Sequence, residues 1–258
     1  MPRRLVIATV LIAVTSVAVL AQRGGGRNRG MGGGFGFADP GIQHAKYDGR
    51  WAFVRLRYAG GMGGRQGPPW SHDYPDGEHH FMQILDGVTN LDVRLDTTQI
   101  MTLDDPELLK YPIAYMAEPG FWTVTDAEAA AFRAYLQKGG FAIFDDFHLQ
   151  DWPYFERAML KVLPDAKFID LTPAHPIYHT FFEIESFDVV KQYYDPGRPI
   201  FRAIFEDNDP KKRMMCMINY NTDISEFWEW SPGGFKPISE SNEAYQIGVN
   251  WIIYGMTR

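Results

Sequence analysis

Residues 122–148, WTVTDAEAAAFRAYLQKGGFAIFDDFH, constrain the fold more than any other stretch, because they read in unbroken order as helix, turn and buried strand. Thr125 stands where an N-cap is needed and Glu128 follows three positions on, the pairing that satisfies exposed helix N–H groups reciprocally. Ala129, Phe132, Tyr135 and Leu136 recur at the three-to-four spacing of one apolar face, and Gly139-Gly140 supplies a left-handed stop that glycine adopts cheaply. The run at 141–144 is then apolar without polar alternation, which fits a parallel strand covered on both faces. Asp145 and Asp146 end it, and carboxylates at that place demand water, cations or hydrogen-bond donors. The carboxyl ends of strands are where open α/β sheets bind their ligands.

A chain of 258 residues, 45% hydrophobic and 15% aromatic, can bury one sizeable α/β core. Arg3 and Arg4 precede an apolar run at 5–20, and Val19-Leu20-Ala21 offers the small residues a signal peptidase reads, so residues 1–21 are expected to be a cleaved secretory signal. An uncleaved membrane anchor is the alternative. Residues 22–40, rich in glycine and arginine, are expected to be a flexible linker, followed by one domain over 41–258. The expected location is exported, periplasmic or secreted. The net charge of −7 becomes −9 once the two arginines of the signal are gone, which makes nucleic acid a poor partner. The single cysteine, Cys216, lies within the apolar run 214–218 and is expected to behave as a small buried hydrophobe.

Strands are expected at 51–58, where apolar residues alternate with arginines, at 91–95, at 112–117 and at 168–171. Helices are expected at 77–88, 153–163 and 242–256, and a hairpin of 201–205 with 213–220 around the polar turn EDNDPKK. Alternating strands and helices followed by a hairpin predict a three-layer flavodoxin-like sheet with an added antiparallel edge. In the usual strand order its switch point falls between the strands at 51–58 and 112–117, bringing together the loops 59–75, 118–123 and 145–151.

Several groups in those loops carry chemistry. The glycine-rich segment 60–64 lacks the spacing of a phosphate cradle and reads as a rim loop. His72 and Asp73 are the better metal candidates of the 70–81 segment, because adjacent His79 and His80 point to different sides of a helix. Glu78 is a further ligand candidate, and Asp76 a candidate N-cap. Asp145, Asp146 and His148 form a cluster that either binds a divalent cation, through Asp146 and His148, or caps the following turn. His175, between two prolines, is held extended and suits an oriented ligand or base. Asp223 sits with Asn219 and Asn221 before Phe227, Trp228 and Trp230, a mixture used by carbohydrate sites and by packed loops alike.

FVRLRY at 53–58, W-x-x-D-x-P at 70–75, the TDAEAAAFRAYLQKGGFAIFDD block, HPIY at 175–178, NYNTD at 219–223 and EAYQIGVNWIIYGMT at 243–257 together resemble an uncharacterised bacterial family, domain of unknown function number 4159. The resemblance implies a class I glutamine-amidotransferase-like fold over about residues 51–257. It also implies a setting near MoxR-type ATPases and von Willebrand-type proteins of envelope operons. Amidotransferases carry a nucleophilic cysteine after the strand that corresponds to 141–144. Asp145-Asp146-Phe147-His148 stands there instead, and a carboxylate cannot form the glutamyl thioester, so glutaminase activity is not expected.

The expected function is therefore an exported binding or interaction module of the cell envelope, with a cleft lined by Asp73, Glu78, Asp145, Asp146, His175 and Asp223. The alternative is a metal-assisted hydrolase of an envelope glycan or peptide, in which a cation on Asp146 and His148 activates water and His175 acts as base. An envelope protein or glycan is the expected partner in either case, with the membrane touched only through an uncleaved signal segment.

Overall fold

The computed structural model describes residues 40–60, 67–188, 190 and 197–258, so the signal and most of the linker expected at 1–40 lie outside the described residues. Nine strands and five helices are described: β1 (Val54–Arg57), β2 (Ala59–Gly60), β3 (Gln99–Thr102), β4 (Ile113–Ala117), β5 (Trp122–Thr123), β6 (Phe141–Phe147), β7 (Ile169–Asp170), β8 (Ile200–Phe205) and β9 (Met214–Tyr220), with α1 (Asp76–Val88), α2 (Asp126–Gln137), α3 (Trp152–Val162), α4 (Ile224–Glu229) and α5 (Ile238–Thr257). Seven strands form one mixed, mostly parallel sheet in the order β3-β1-β4-β6-β9-β8-β7. The first five run parallel, and β8 and β7 are added antiparallel beyond β9. β2 and β5 pair separately as a short antiparallel ribbon.

Alternation along each strand divides the core into two layers. On one face Phe53, Tyr115, Ile143 and Phe201 pack against Phe81, Met82 and Leu85 of α1, Phe227 and Trp228 of α4, and Trp251 of α5. On the other, Val54, Met116, Phe144 and Ile204 pack against Phe132 and Leu136 of α2 and Phe155 and Met159 of α3. The capping box of Thr125 and Glu128 opens α2 as its sequence requires, and Gly139 follows the helix at φ 116°. Where α5 crosses the sheet, Gly248 is obligatory, since a Cβ would lie 2.6 Å from Phe81 and Trp228. Among the described residues no helix is long and apolar enough to cross a membrane.

One strand falls elsewhere than its pattern suggests. The segment 91–95 contributes only a bridge from Val93 to Trp51, and the strand beside β1 is β3, at 99–102. Arg94 leaves the sheet to pair with Asp48 and the Lys46 carbonyl, and Leu95 is exposed, so nothing holds 91–95 in a ladder. Gln99 is fully buried, because its Oε1 accepts the Ala45 N–H at 2.9 Å.

Candidate functional site

The carboxyl ends of β1, β4, β6 and β9 deliver the site. After β1 the chain turns through a 3₁₀ turn at Pro69–Ser71 and presents His72 and Asp73; after β4 comes Glu118, within β6 Asp146, and after β9 Asp223. One ligand atom from each of His72, Asp73, Asp146 and Asp223 lies within 4.8 Å of every other. His72 Nδ1 is 2.6 Å from Asp146 Oδ2 and 3.8 Å from both Asp73 Oδ1 and Glu118 Oε1. His148 reaches the other oxygen of Asp146, with Nε2 at 3.3 Å from Oδ1. Asp73, Asp146 and Asp223 are buried, whereas the His72 side chain keeps 27% of its surface open to solvent.

The backbone is bent to achieve this. Asp73, Glu118, Asp146 and Asn221 all take positive φ, between 45° and 60°. Aspartate and asparagine tolerate that region best among residues with a side chain, and such conformations gather where the surrounding structure over-determines them. A register shift between Phe144 and Phe147 in the β6–β9 pairing separates the fates of the two neighbouring aspartates. Asp146 turns up toward His72. Asp145 stays beneath, accepting hydrogen bonds from Tyr115 OH at 2.7 Å, Asn219 Nδ2 at 3.1 Å, and the N–H groups of Ile224 at 3.0 Å and Ser225 at 3.1 Å.

Two buried supports orient the ligands. Arg55 and Glu78 form an ion pair, each with almost no exposed surface, and Arg55 Nη1 also donates to the carbonyls of Trp70 and His72, both at 2.9 Å, so this arginine fixes the turn that carries His72 and Asp73. On the other side Asp145 anchors the start of α4, where Ser225 Oγ lies 2.6 Å from Asp73 Oδ2 and 3.2 Å from Asp223 Oδ1. Tyr58 OH donates to the carbonyls of Ala117, at 3.0 Å, and Glu118, which holds the turn after β4.

So many acids in one place disturb each other. Burial, reinforced by the Asp146 charge, pushes Glu118 up to about 8, and burial together with the Asp73 charge pushes Glu229 up to about 8. Burial raises Asp145 to about 7, and it raises Asp73 and Asp223 as well, the latter helped by the charges of Asp146 and Asp73. For Asp146 burial also acts upward, but hydrogen bonds from His148 and His72 outweigh it and hold the carboxyl well below the usual range. Burial alone would depress His72; its bond to Asp146 and the charges of Asp73, Asp146 and Glu118 prevail and raise it to about 10. Three cationic groups act on these acids, His72 and His148 on Asp146 and Arg55 on Asp73, while Glu229 shares a side-chain hydrogen bond with Asp73.

Of the residues singled out in the sequence, Asp73, Asp146, Asp223 and His72 converge, with His148 behind Asp146. Asp145 is an anchor beneath them and Glu78 the partner of Arg55, because strand and helix geometry turns both inward. His175 stands apart. Its ring packs 5.9 Å from that of Phe205 and 6.1 Å from that of Tyr254. Phe205 pairs with Met214 at the start of β9, so this is the opposite end of the sheet, and His175 cannot serve as base for a group on Asp146. Burial lowers its pKa, and its side chain accepts the Ile177 N–H as a turn cap. Glu118, Arg55 and Ser225 escaped notice as individuals; for Glu118 the available signal was its place directly after a central strand. Cys216 is buried in the sheet with its thiol pushed up by burial, remote in chemistry from any nucleophile.

No curated protein sequence matches this chain. One family model does, over residues 52–256, which span the sheet, both helical layers and every residue of the cluster. The chain belongs to the family described as a domain of unknown function, DUF4159.

Proposed function

We propose that His72, Asp73, Asp146 and Asp223 hold one divalent cation, and that the protein is a metal-assisted hydrolase of the cell envelope. The convergence of four ligand atoms within 4.8 Å carries this reading. The crowding of carboxylates around His72 supports it, because a divalent charge would relieve their mutual repulsion. Three carboxylates with one imidazole suit Mn²⁺ or Zn²⁺ better than Ca²⁺, which takes oxygen alone. A cation there would lower the pKa of a bound water from 15.7 toward about 7. Such a cation would supply a water-derived nucleophile for an acyl or glycosyl carbon, and His148, whose Nε2 lies 3.3 Å from Asp146 Oδ1, would orient that carboxylate. The solvent-open side of His72 is the route in.

Export rests on the apolar run at 5–20 behind Arg3 and Arg4. The strand order β3-β1-β4-β6-β9, second-first-third-fourth-fifth in the chain, supports a flavodoxin-like sheet with an added hairpin, and so an amidotransferase-like ancestry without its cysteine. That missing nucleophile favours a second reading, a binding module that uses the same cluster without turnover.

Calorimetric titration of the chelator-treated chain with Mn²⁺, Zn²⁺ and Ca²⁺ tests the site. One equivalent should bind, and Asp146→Asn and Asp223→Asn should each weaken it at least about 100-fold. Absence of stoichiometric binding removes the cation. Binding without hydrolysis of ester, peptide and glycoside substrates leaves the binding module.

A further inference from the structure

A groove of about 600 Å³ lies beside the cluster, between the segment 120–124 and α3, a size that matches small-molecule sites. Its floor is Trp122 and Ala158, and its walls are Phe121 and Tyr154, two of the more exposed large aromatics of the chain, at 43% and 56%. Arg157 lines it with its guanidinium 5.8 Å from the centre of the Tyr154 ring, and among the described residues Arg157 pairs with no carboxylate. Lys161 lines it as well, its Nζ held by the Val124 carbonyl and Asp126, both at 2.8 Å. Asp151 also lines the groove and Asp126 pairs with Lys161, so Arg157 is the cation that the groove offers a ligand, set among flat aromatic faces.

Two short connections link the lining of the groove to the cluster. Glu118, 3.8 Å from His72, leads directly into the 3₁₀ turn Pro119–Phe121, of which Gly120 and Phe121 line the groove. Asp151 lines it too, and its Oδ2 accepts the N–H of His148, which in turn touches Asp146. Gly120 makes the joint tight, since a Cβ there would stand 2.3 Å from that of Asp151. A molecule lying along Phe121 and Tyr154 would have one end at Gly120 and Asp151, the residues that lead to Glu118 and His148.

We propose that this groove binds an acidic glycan, a sugar chain bearing carboxylates, and presents it to the cluster; the step of presentation rests on the cation reading above. Exposed aromatic faces match the C–H faces of pyranose rings. The Arg157 fork matches a carboxylate bidentately, and its stacking on Tyr154 keeps it pre-oriented. An extended peptide would instead call for backbone partners, and the Val124 carbonyl is already taken by Lys161.

Titrating the full chain in chelator with a uronic-acid trisaccharide, with a neutral trisaccharide and an acidic tripeptide alongside, tests this by calorimetry. The acidic sugar should bind at least about tenfold more tightly than either control, and Tyr154→Ala and Arg157→Ala should each weaken it about tenfold or more. Equal binding of the neutral sugar, preference for the peptide, or no change in Arg157→Ala overturns the proposal. Acidic-sugar binding that persists in a chain unable to bind Mn²⁺ or Zn²⁺ upholds the groove while removing the cation, so the two readings fail separately.

Discussion

At the carboxyl ends of β1, β4, β6 and β9 the chain buries Asp73, Asp146 and Asp223 and holds Asp73, Glu118, Asp146 and Asn221 at positive φ. At the amino ends of the same strands it buries Phe141 and Met214, with Tyr254 of α5 beside Phe141, and the positive φ values there fall on Gly139 and on Asp207 and Asn208 of the hairpin turn. In the base, unusual backbone is ordinary turn chemistry by the residues that suit it. In the rim it is imposed on buried acids, which destabilise the fold unless something offsets them. The contrast separates the two ends of the sheet physically: apolar burial dominates one, and buried carboxylates on left-handed backbone mark the other.

The strongest way to break that contrast is Arg55→Met. It strands Glu78 in the interior and frees the turn bearing His72, and it should lower unfolding free energy by about 3–5 kcal/mol in urea titrations. A loss under about 1 kcal/mol would mean that the rim does not depend on this pair. Asp145→Ala comes next, at about 1–3 kcal/mol, because the N–H groups of Ile224 and Ser225 lose their acceptor. Cation affinity should fall in the same variant, since Asp223 loses its anchor.

The pH dependence of the chelator-treated chain sharpens the comparison further. Glu118 rises from 4.5 to about 8 and His72 from 6.5 to about 10 on folding, so the folded chain binds both protons more tightly than the unfolded one. Their contribution is complete below 4.5 and 6.5 respectively, and it is lost as pH climbs through about 8 and about 10. The urea midpoint should therefore fall between pH 5 and 10, and a midpoint that rises across this window contradicts the electrostatics described for the rim. The smallest effect belongs to the base: His175→Ala removes a turn cap, costs about 1 kcal/mol, and leaves cation titrations unchanged. Weakened cation binding in that variant would erase the distinction between the two ends.

Much of the frame was legible because its signals are local. Thr125 with Glu128, the apolar face of α2, the Gly139 stop and the hairpin's polar turn each announce an element within a few residues. β3 was illegible for the opposite reason. Its Gln99 is made compatible with burial by a backbone group at Ala45, 54 positions away, while 91–95 looks strand-like and lacks partners. The site shows the same division. Residues at strand ends pointed to the rim where Asp73, Asp146 and Asp223 gather, but nothing in the letters distinguishes Asp145 from Asp146. Their roles diverge at a bulge that only the pairing with β9 creates. Glu78 and His175 have the right chemistry, and packing directs one to Arg55 and carries the other to the far end.

The bond between Ser225 and Asp73 closes a loop of 152 positions, and the same Ser225 hydroxyl also lies 3.2 Å from Asp223, so one side chain ties two acids of the cluster together. No fragment ending before β9 can therefore assemble the cluster, however well its own helices form, because the entropy of closing such a loop is offset only when the whole sheet is in place. Cation affinity at this cluster would thus report on completion of the entire domain: a truncated or misassembled chain would register as one that fails to capture the ion, even where its spectrum shows native helix.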